Sequence, residues 1–177
     1  KSILTLKYIK ITQQIYIYLK MNLKIIFLRG IPGSGKSTWA RKFIKNNSKT
    51  WVIINRDSIR DMLGNYWVPE REKLVTFLEK ESIVDSLSLG FNVIVDATNF
   101  NKKSVANILD FINWHKTNFN GNLLDVSNID VEFKDFDISL EKAIRRDFWR
   151  GLTGGRKVGK KVIKDFYNKY VKVQHGE

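Results

Sequence analysis

Eight residues, Gly30, Ile31, Pro32, Gly33, Ser34, Gly35, Lys36 and Ser37, carry the pattern G-x-x-x-x-G-K-S, with Thr38 directly after it. These residue types at this spacing suit one task, the gripping of phosphate. Glycines let the backbone curl until its N–H groups point inward at phosphate oxygens. A helix opening at the same place adds partial positive charge there. Lys36 is long enough to reach the β- and γ-phosphates of a nucleoside triphosphate, and the Ser37 hydroxyl can ligate Mg²⁺. An apolar run, residues 23–28, precedes the loop, and an amphipathic run, 38–44, follows it. Strand, glycine-rich turn and helix is the context such a loop requires; an accidental glycine-rich turn need not have both flanks. The pattern is silent on what receives the phosphate.

Acceptor chemistry must come from elsewhere. A phosphotransferase acting on an alcohol needs a carboxylate to orient the hydroxyl and take its proton. Asp57 lies just past the second apolar run, 50–54, and is the candidate; an N-cap for a short helix over 58–63 is the alternative. Arg60, one helical turn on, suits a substrate phosphate through its planar fork, or else a surface ion pair with Asp57 or Asp61. Arg56, between them, reads as structural. Asp96 ends the apolar run 93–95, where an acid can hold Mg²⁺ directly or through water, or can cap the next loop. Thr98 and Asn99 could bond acceptor phosphate or the turn itself. Arg146 and Arg150, four apart, share a helix face and could close over the donor phosphates from a flap, or form a solvated basic face. Phe148 and Trp149 read as core or flap packing rather than stacking platforms.

The elements that position these groups alternate. Strands are expected over 23–28, 50–54, 91–95 and 129–136, and helices over 36–46, 58–63, 70–89, 102–115, 139–149 and 161–173. The long helix 70–89 should bury Leu74, Phe77, Leu78, Ile83, Val84 and Leu87. Residues 118–128 read as a loop and 151–159 as a glycine-rich basic loop. Such alternation implies an α/β fold with a parallel sheet of about four to five strands, helices on both faces and a C-terminal basic lid. Ligands of such sheets gather at the carboxyl ends of the strands, where the phosphate loop, 55–60 and 96–99 all fall. Two distractions fail. Asp135, Asp137 and Ser139 imitate a phosphatase signature, but too few residues follow for a second α/β domain, and helix capping fits Ser139 better. His115 and His175 have no metal-ligand companions in the sequence.

The chain has 177 residues, no cysteine and a net charge of +13. No cysteine means no disulfide and no thiolate metal site, which suits a reducing compartment, the cytoplasm or a host cytoplasm if the source is viral. No apolar run approaches the ~18 residues that span a bilayer, so no membrane partner is expected. Residues 141–177 hold 11 basic and 4 acidic residues, against a nearly balanced centre. That asymmetry suggests a polyanionic partner and salt-sensitive binding, or a solvated basic helix face. Residues 1–20 stand apart in composition, and Met21 precedes the first strand. The expected division is an N-terminal extension, 1–20, disordered or upstream of the true start, and a phosphate-loop kinase domain, 21–177.

The loop 30–38 with its following Trp39, Ala40 and Arg41, the run Asn55-Arg56-Asp57-Ser58-Ile59-Arg60, the run Ala97-Thr98-Asn99-Phe100-Asn101, and the run from Arg146 to Gly151 together resemble the 5′-kinase domain of bacteriophage polynucleotide kinases. The resemblance covers about 23–172. The loop alone is generic, whereas N-R-D-x-x-R with R-x-x-x-R-G is far more specific. It implies that residues 30–38, with Lys36 and Ser37, bind ATP or another NTP with Mg²⁺. It implies that Asp57 is general base for the 5′-hydroxyl, that Arg60 holds the acceptor's 3′-side phosphate, and that Arg150, with Arg146, contacts the donor. Phage enzymes also carry a phosphatase domain, which nothing in this sequence encodes, and 118–128 looks like an insertion. The expected activity is phosphorylation of 5′-hydroxyl ends of DNA or RNA in nucleic-acid repair. The rivals are a kinase for a small metabolite or nucleotide sugar, and a nucleic-acid-stimulated NTPase. Oligomeric state is left open, a homo-oligomer included.

Overall fold

The computed structural model describes residues 23–118 and 129–171. Four parallel strands form one sheet in the order β2-β3-β1-β4: β1 Lys24–Arg29, β2 Trp51–Ile54, β3 Asn92–Asp96 and β4 Asp130–Asp135. The helices are α1 Lys36–Asn47, α2 Arg56–Met62, α3 Glu72–Ser88, α4 Lys102–Asn118, α5 Leu140–Leu152 and α6 Lys160–Phe166; a 3-10 turn, Pro69–Arg71, opens α3, and a π turn, Tyr167–Val171, follows α6. The α/β fold with its parallel sheet is as the alternation implies. Among the described residues no helix is long and apolar enough to cross a membrane.

Strand periodicity sorts the core into two layers. Ile25 and Phe27 of β1, with Val93 and Val95 of β3, pack against Ile83, Val84 and Leu87 of α3 and Val105, Ile108 and Ile112 of α4. Ile26, Leu28 and Ile94 point the other way, against Ala40, Trp39 and Phe43 of α1. A third cluster matters most for the site. Ile31 of the phosphate loop, Ala143 of α5 and Ile163 of α6 are fully buried together, which anchors the C-terminal helices to the loop.

Several expectations need correction. Helix α2 starts two residues early, because Asn55 rather than Asp57 is its N-cap: the Asn55 side chain accepts the Ser58 N–H at 3.0 Å. Helix α5 runs on to Leu152, so Arg150 and Gly151 lie within it. Helix α3 buries Ile83, Val84 and Leu87 as expected, but its first half turns differently: Val75 and Glu79 are buried while Leu74 and Phe77 are exposed, and Glu72, Thr76 and Glu79 face Arg56 of α2. Phe148 and Trp149 are half or more exposed and so are not core residues, though Lys157 of the loop after α5 lies 5.6 Å from the Phe148 ring centre. Helix α4 takes in Asn118; the rest of the loop expected over 118–128, the extension 1–20 and His175 lie outside the described residues. Ser139 does cap α5, its hydroxyl accepting the Lys142 N–H, and Asp135 pairs with Arg29.

Candidate active site

The sheet delivers three segments to one edge. The phosphate loop leaves β1, residues 55–60 leave β2, and residues 96–99 leave β3. The backbone makes the loop a phosphate cradle. Gly35 sits at φ +106°, a left-handed conformation that costs glycine nothing, and from there α1 begins with no side-chain cap. Among the described residues the N–H groups of Gly35, Lys36, Ser37 and Thr38 have no acceptor, as expected of an uncapped first turn. Gly33 is required for a different reason. A Cβ there would stand 2.7 Å from the Ala143 carbonyl oxygen, so α5 lies directly on the loop.

Lys36 is folded back into the loop. Its ammonium donates to the carbonyls of Gly30 at 2.7 Å and Ile31 at 2.9 Å, and more weakly to Ser34 Oγ at 3.4 Å. Burial pushes its pKa down to about 8; Asp96 and Asp57 oppose that shift and Arg150 adds to it. Asp96 is buried at the end of β3, and its Oδ2 accepts from Asn55 Nδ2 at 3.0 Å while the same amide bonds the Asp96 carbonyl at 2.8 Å. Asn55 therefore locks the ends of β2 and β3 together and caps α2 at once.

Asp57 stands free of capping. Its Oδ1 accepts from the Tyr66 hydroxyl and from Arg60 Nη1, each at 2.8 Å. Its Oδ2 has no partner among the described residues. Arg60 is held hard: Nε and Nη2 donate to the two Glu72 oxygens at 2.7 and 2.8 Å. This bidentate pair raises the Arg60 pKa and lowers that of Glu72. The fork that sequence reasoning reserved for a substrate phosphate is thus occupied by Glu72, and two of its five N–H groups are left. Arg56 is structural, bridging Glu79, Glu72 and Thr76.

Helix α5 lies against the loop from the other side. Arg146 Nη1 lies 3.2 Å from the Ser34 carbonyl and 3.4 Å from that of Gly33. Arg150 is ion-paired with Asp147, which is only 2% exposed. Asp147 also accepts the N–H groups of Val158 at 2.9 Å and Gly159 at 2.8 Å. Burial works to raise its pKa, but these bonds and Arg150 outweigh it and hold the carboxyl below the usual range. Thr98 meets the loop through its backbone, its carbonyl accepting the Gly30 N–H at 3.3 Å. Asn99, at φ +49°, spends its amide on the carbonyls of Leu28, Val95 and Ala97, so its donors bond the turn and the strand ends.

Sequence reasoning thus named Lys36, Asp57, Asp96, Arg146 and Arg150, and the fold assembles them around one loop. It missed Tyr66, Glu72 and Asp147. Only Asp147 left a local trace, an acid one turn before Arg150; the other two meet the site through loops of unforeseeable path. The arrangement fits a nucleoside triphosphate: open N–H groups, a lysine held by exchangeable carbonyl contacts, and two arginines above. It also fits Mg²⁺. Among the described residues no three His, Cys, Asp or Glu side chains gather, so the ion would rest on Ser37, Asp96 and phosphate oxygens, the sparse protein ligation usual for this cation.

Comparison with known proteins gives the family. Residues 25–172 match the AAA_33 family, described as an AAA domain. The "Putative bifunctional polynucleotide kinase/RNA ligase" of Autographa californica nuclear polyhedrosis virus is 29% identical over 169 residues, covering 87% of this chain and 22% of that protein. The L-seryl-tRNA(Sec) kinase of Methanococcus maripaludis is 25% identical over 149 residues, covering 82% and 52%. Among solved structures, a chain of the Pnkp1/Rnl/Hen1 RNA repair complex is 29% identical with a TM-score of 0.70, covering 88% of this chain and 46% of that one. A fungal RNA kinase, 18% identical with a TM-score of 0.58, covers 85% and 34% and shares the fold. The chain spans about half or less of the length of each of these relatives. With its phosphate loop, parallel sheet and relatives of the polynucleotide kinase type, this chain belongs to the AAA_33 family of phosphate-loop kinase domains.

Proposed function

We propose that this protein transfers the γ-phosphoryl group of ATP, or another NTP, to the 5′-hydroxyl end of a DNA or RNA strand. The observation that carries the reading is the Asp57 carboxylate. Tyr66 and Arg60 pin Oδ1, and Oδ2 is left to receive a proton. It follows β2 directly, at the same sheet edge as the phosphate loop, and its charge is felt at Lys36.

The roles follow from that geometry. Residues 30–38 wrap the donor phosphates through their backbone N–H groups. Lys36 exchanges its carbonyl contacts for phosphate oxygens. Arg146 and Arg150, on the α5 face that lies over the loop, neutralise charge as the transition state spreads it over the transferred group. Asp57 accepts the hydroxyl proton while the acceptor oxygen bonds to the γ-phosphorus and the bond to the leaving diphosphate breaks. Arg60 is the main positioner of Asp57 and offers its remaining N–H groups to the strand; Thr98 and Asn99 shape the floor between β1 and β3. Mg²⁺ held at Ser37 and Asp96 would screen the phosphate charge. The kinship with polynucleotide kinases and with a chain of an RNA repair complex supports a place in nucleic-acid end repair.

One comparison favours a second reading, a hydroxyl acceptor other than a 5′ end, since an L-seryl-tRNA(Sec) kinase is also similar. The deciding assay offers γ-labelled ATP with Mg²⁺ to 5′-hydroxyl DNA, 5′-hydroxyl RNA and seryl-tRNA, using wild type and Asp57→Asn. Label on a 5′ end, lowered ~10²- to 10⁴-fold by the substitution, is the expected result. Label confined to the seryl group would replace the first reading with the second.

A further inference from the structure

The acceptor side of the cleft holds aromatic surface that phosphoryl transfer does not use. Tyr66 and Trp67 are consecutive in the connector between α2 and α3. The Arg60 guanidinium lies 5.6 Å from the Tyr66 ring centre and 5.4 Å from that of Trp67. Arg156 reaches across from the α5–α6 loop, 3.3 Å from the Tyr66 ring centre and ion-paired with Asp61. Tyr66 is therefore engaged at its hydroxyl, by Asp57, and at its ring, by two guanidiniums. Trp67 touches the same Arg60 yet is 61% exposed.

The connector that carries Trp67 is braced. Arg71 Nη1 donates to the Leu63 carbonyl at 2.7 Å, tying the connector's two ends together. The Arg71 N–H bonds the Val68 carbonyl at 2.9 Å, and Pro69 between them has its φ fixed by its ring. Single exposed apolar residues are common and by themselves signify nothing. Here the indole is held at a defined place without being buried, one residue from Asp57's hydrogen-bond donor and against Asp57's guanidinium partner.

The geometry points to Trp67 as the stacking platform for the base of the acceptor's terminal nucleotide, an inference that rests on the polynucleotide reading above. Every base has a π face, so such a platform accepts any sequence while rejecting acceptors without an aromatic ring. Arg60, with the two N–H groups that its pairs to Glu72 and Asp57 leave open, can donate to the adjoining phosphodiester. Trp67 then acts on the choice and hold of the acceptor, and Asp57 alone on its proton.

The test measures kcat and KM for a short single-stranded 5′-hydroxyl oligonucleotide and for the same strand with an abasic 5′-terminal residue. Wild type, Trp67→Ala, Trp67→Phe and, as a control on α5, the exposed Trp149→Ala are compared. Trp67→Ala should raise the oligonucleotide KM about 5- to 100-fold, leaving the KM for ATP and kcat unchanged. Trp67→Phe should restore most of the loss. On the abasic strand wild type and Trp67→Ala should coincide, because the partner of the indole is gone. Equal KM values for wild type and Trp67→Ala on the intact strand would overturn the platform while leaving the kinase reading standing. A persisting effect of Trp67→Ala on the abasic strand would overturn it too, by showing that the base is not what Trp67 holds. Failure of wild type to label any strand would overturn both.

Discussion

Lys36 is the group whose ionisation the fold has altered most usefully. Burial among loop carbonyls brings its pKa down to about 8. The protonated amine is the form that binds phosphate oxygens, and their negative charge raises its pKa again in the complex. The free protein thus loses the proton as pH rises through about 8, while the complex keeps it. Binding must then recruit a proton, and affinity falls with rising pH. Between pH 7 and pH 9.5 the dissociation constant should grow about 30-fold, about 2 kcal/mol, with the slope nearing one decade per pH unit above pH 8.5. The assay is fluorescence anisotropy of a labelled ATP analogue without Mg²⁺, with calorimetry in buffers of differing ionisation enthalpy to count the proton. Lys36→Met should bind weakly and lose the slope. A flat affinity from pH 7 to 9.5, or the same slope in Lys36→Met, would refute the argument that burial sets this lysine's proton.

Two further outcomes probe the supports of the site. Asp147→Asn keeps the shape but cannot satisfy Val158, Gly159 and Arg150 together; trypsin should cut at Arg156 and Lys157 faster than in wild type, and kcat should fall while the nucleotide-free protein stays folded by circular dichroism. Arg56→Met strands the buried Glu79 without its 2.8 Å partner and should cost about 3–5 kcal/mol in urea unfolding, partly recovered by Glu79→Gln in the same chain.

Much of this was legible in the chain because it is local. The phosphate loop needs glycine, lysine and serine at fixed spacing between a strand and a helix, and so its function is written in consecutive residues. The alternation of apolar runs implies a parallel α/β sheet, and parallel sheets bring their carboxyl-end loops to one edge, which is why the chain order alone puts Asp57 and Asp96 beside the loop. Tertiary structure decided what depends on path and rotation. Helix α3 packs Ile83, Val84 and Leu87 into the core, and in its first half the ion pairs of Arg56 and Arg60 with Glu72 and Glu79 turn Glu79 inward and leave Leu74 and Phe77 exposed. Glycines at Gly64 and Gly154, each at positive φ, let the two connectors swing so that Tyr66 meets Asp57 and Arg156 meets Asp61. Spacing along the chain records none of these contacts, since each joins residues that only the packed helices bring within a hydrogen bond's length.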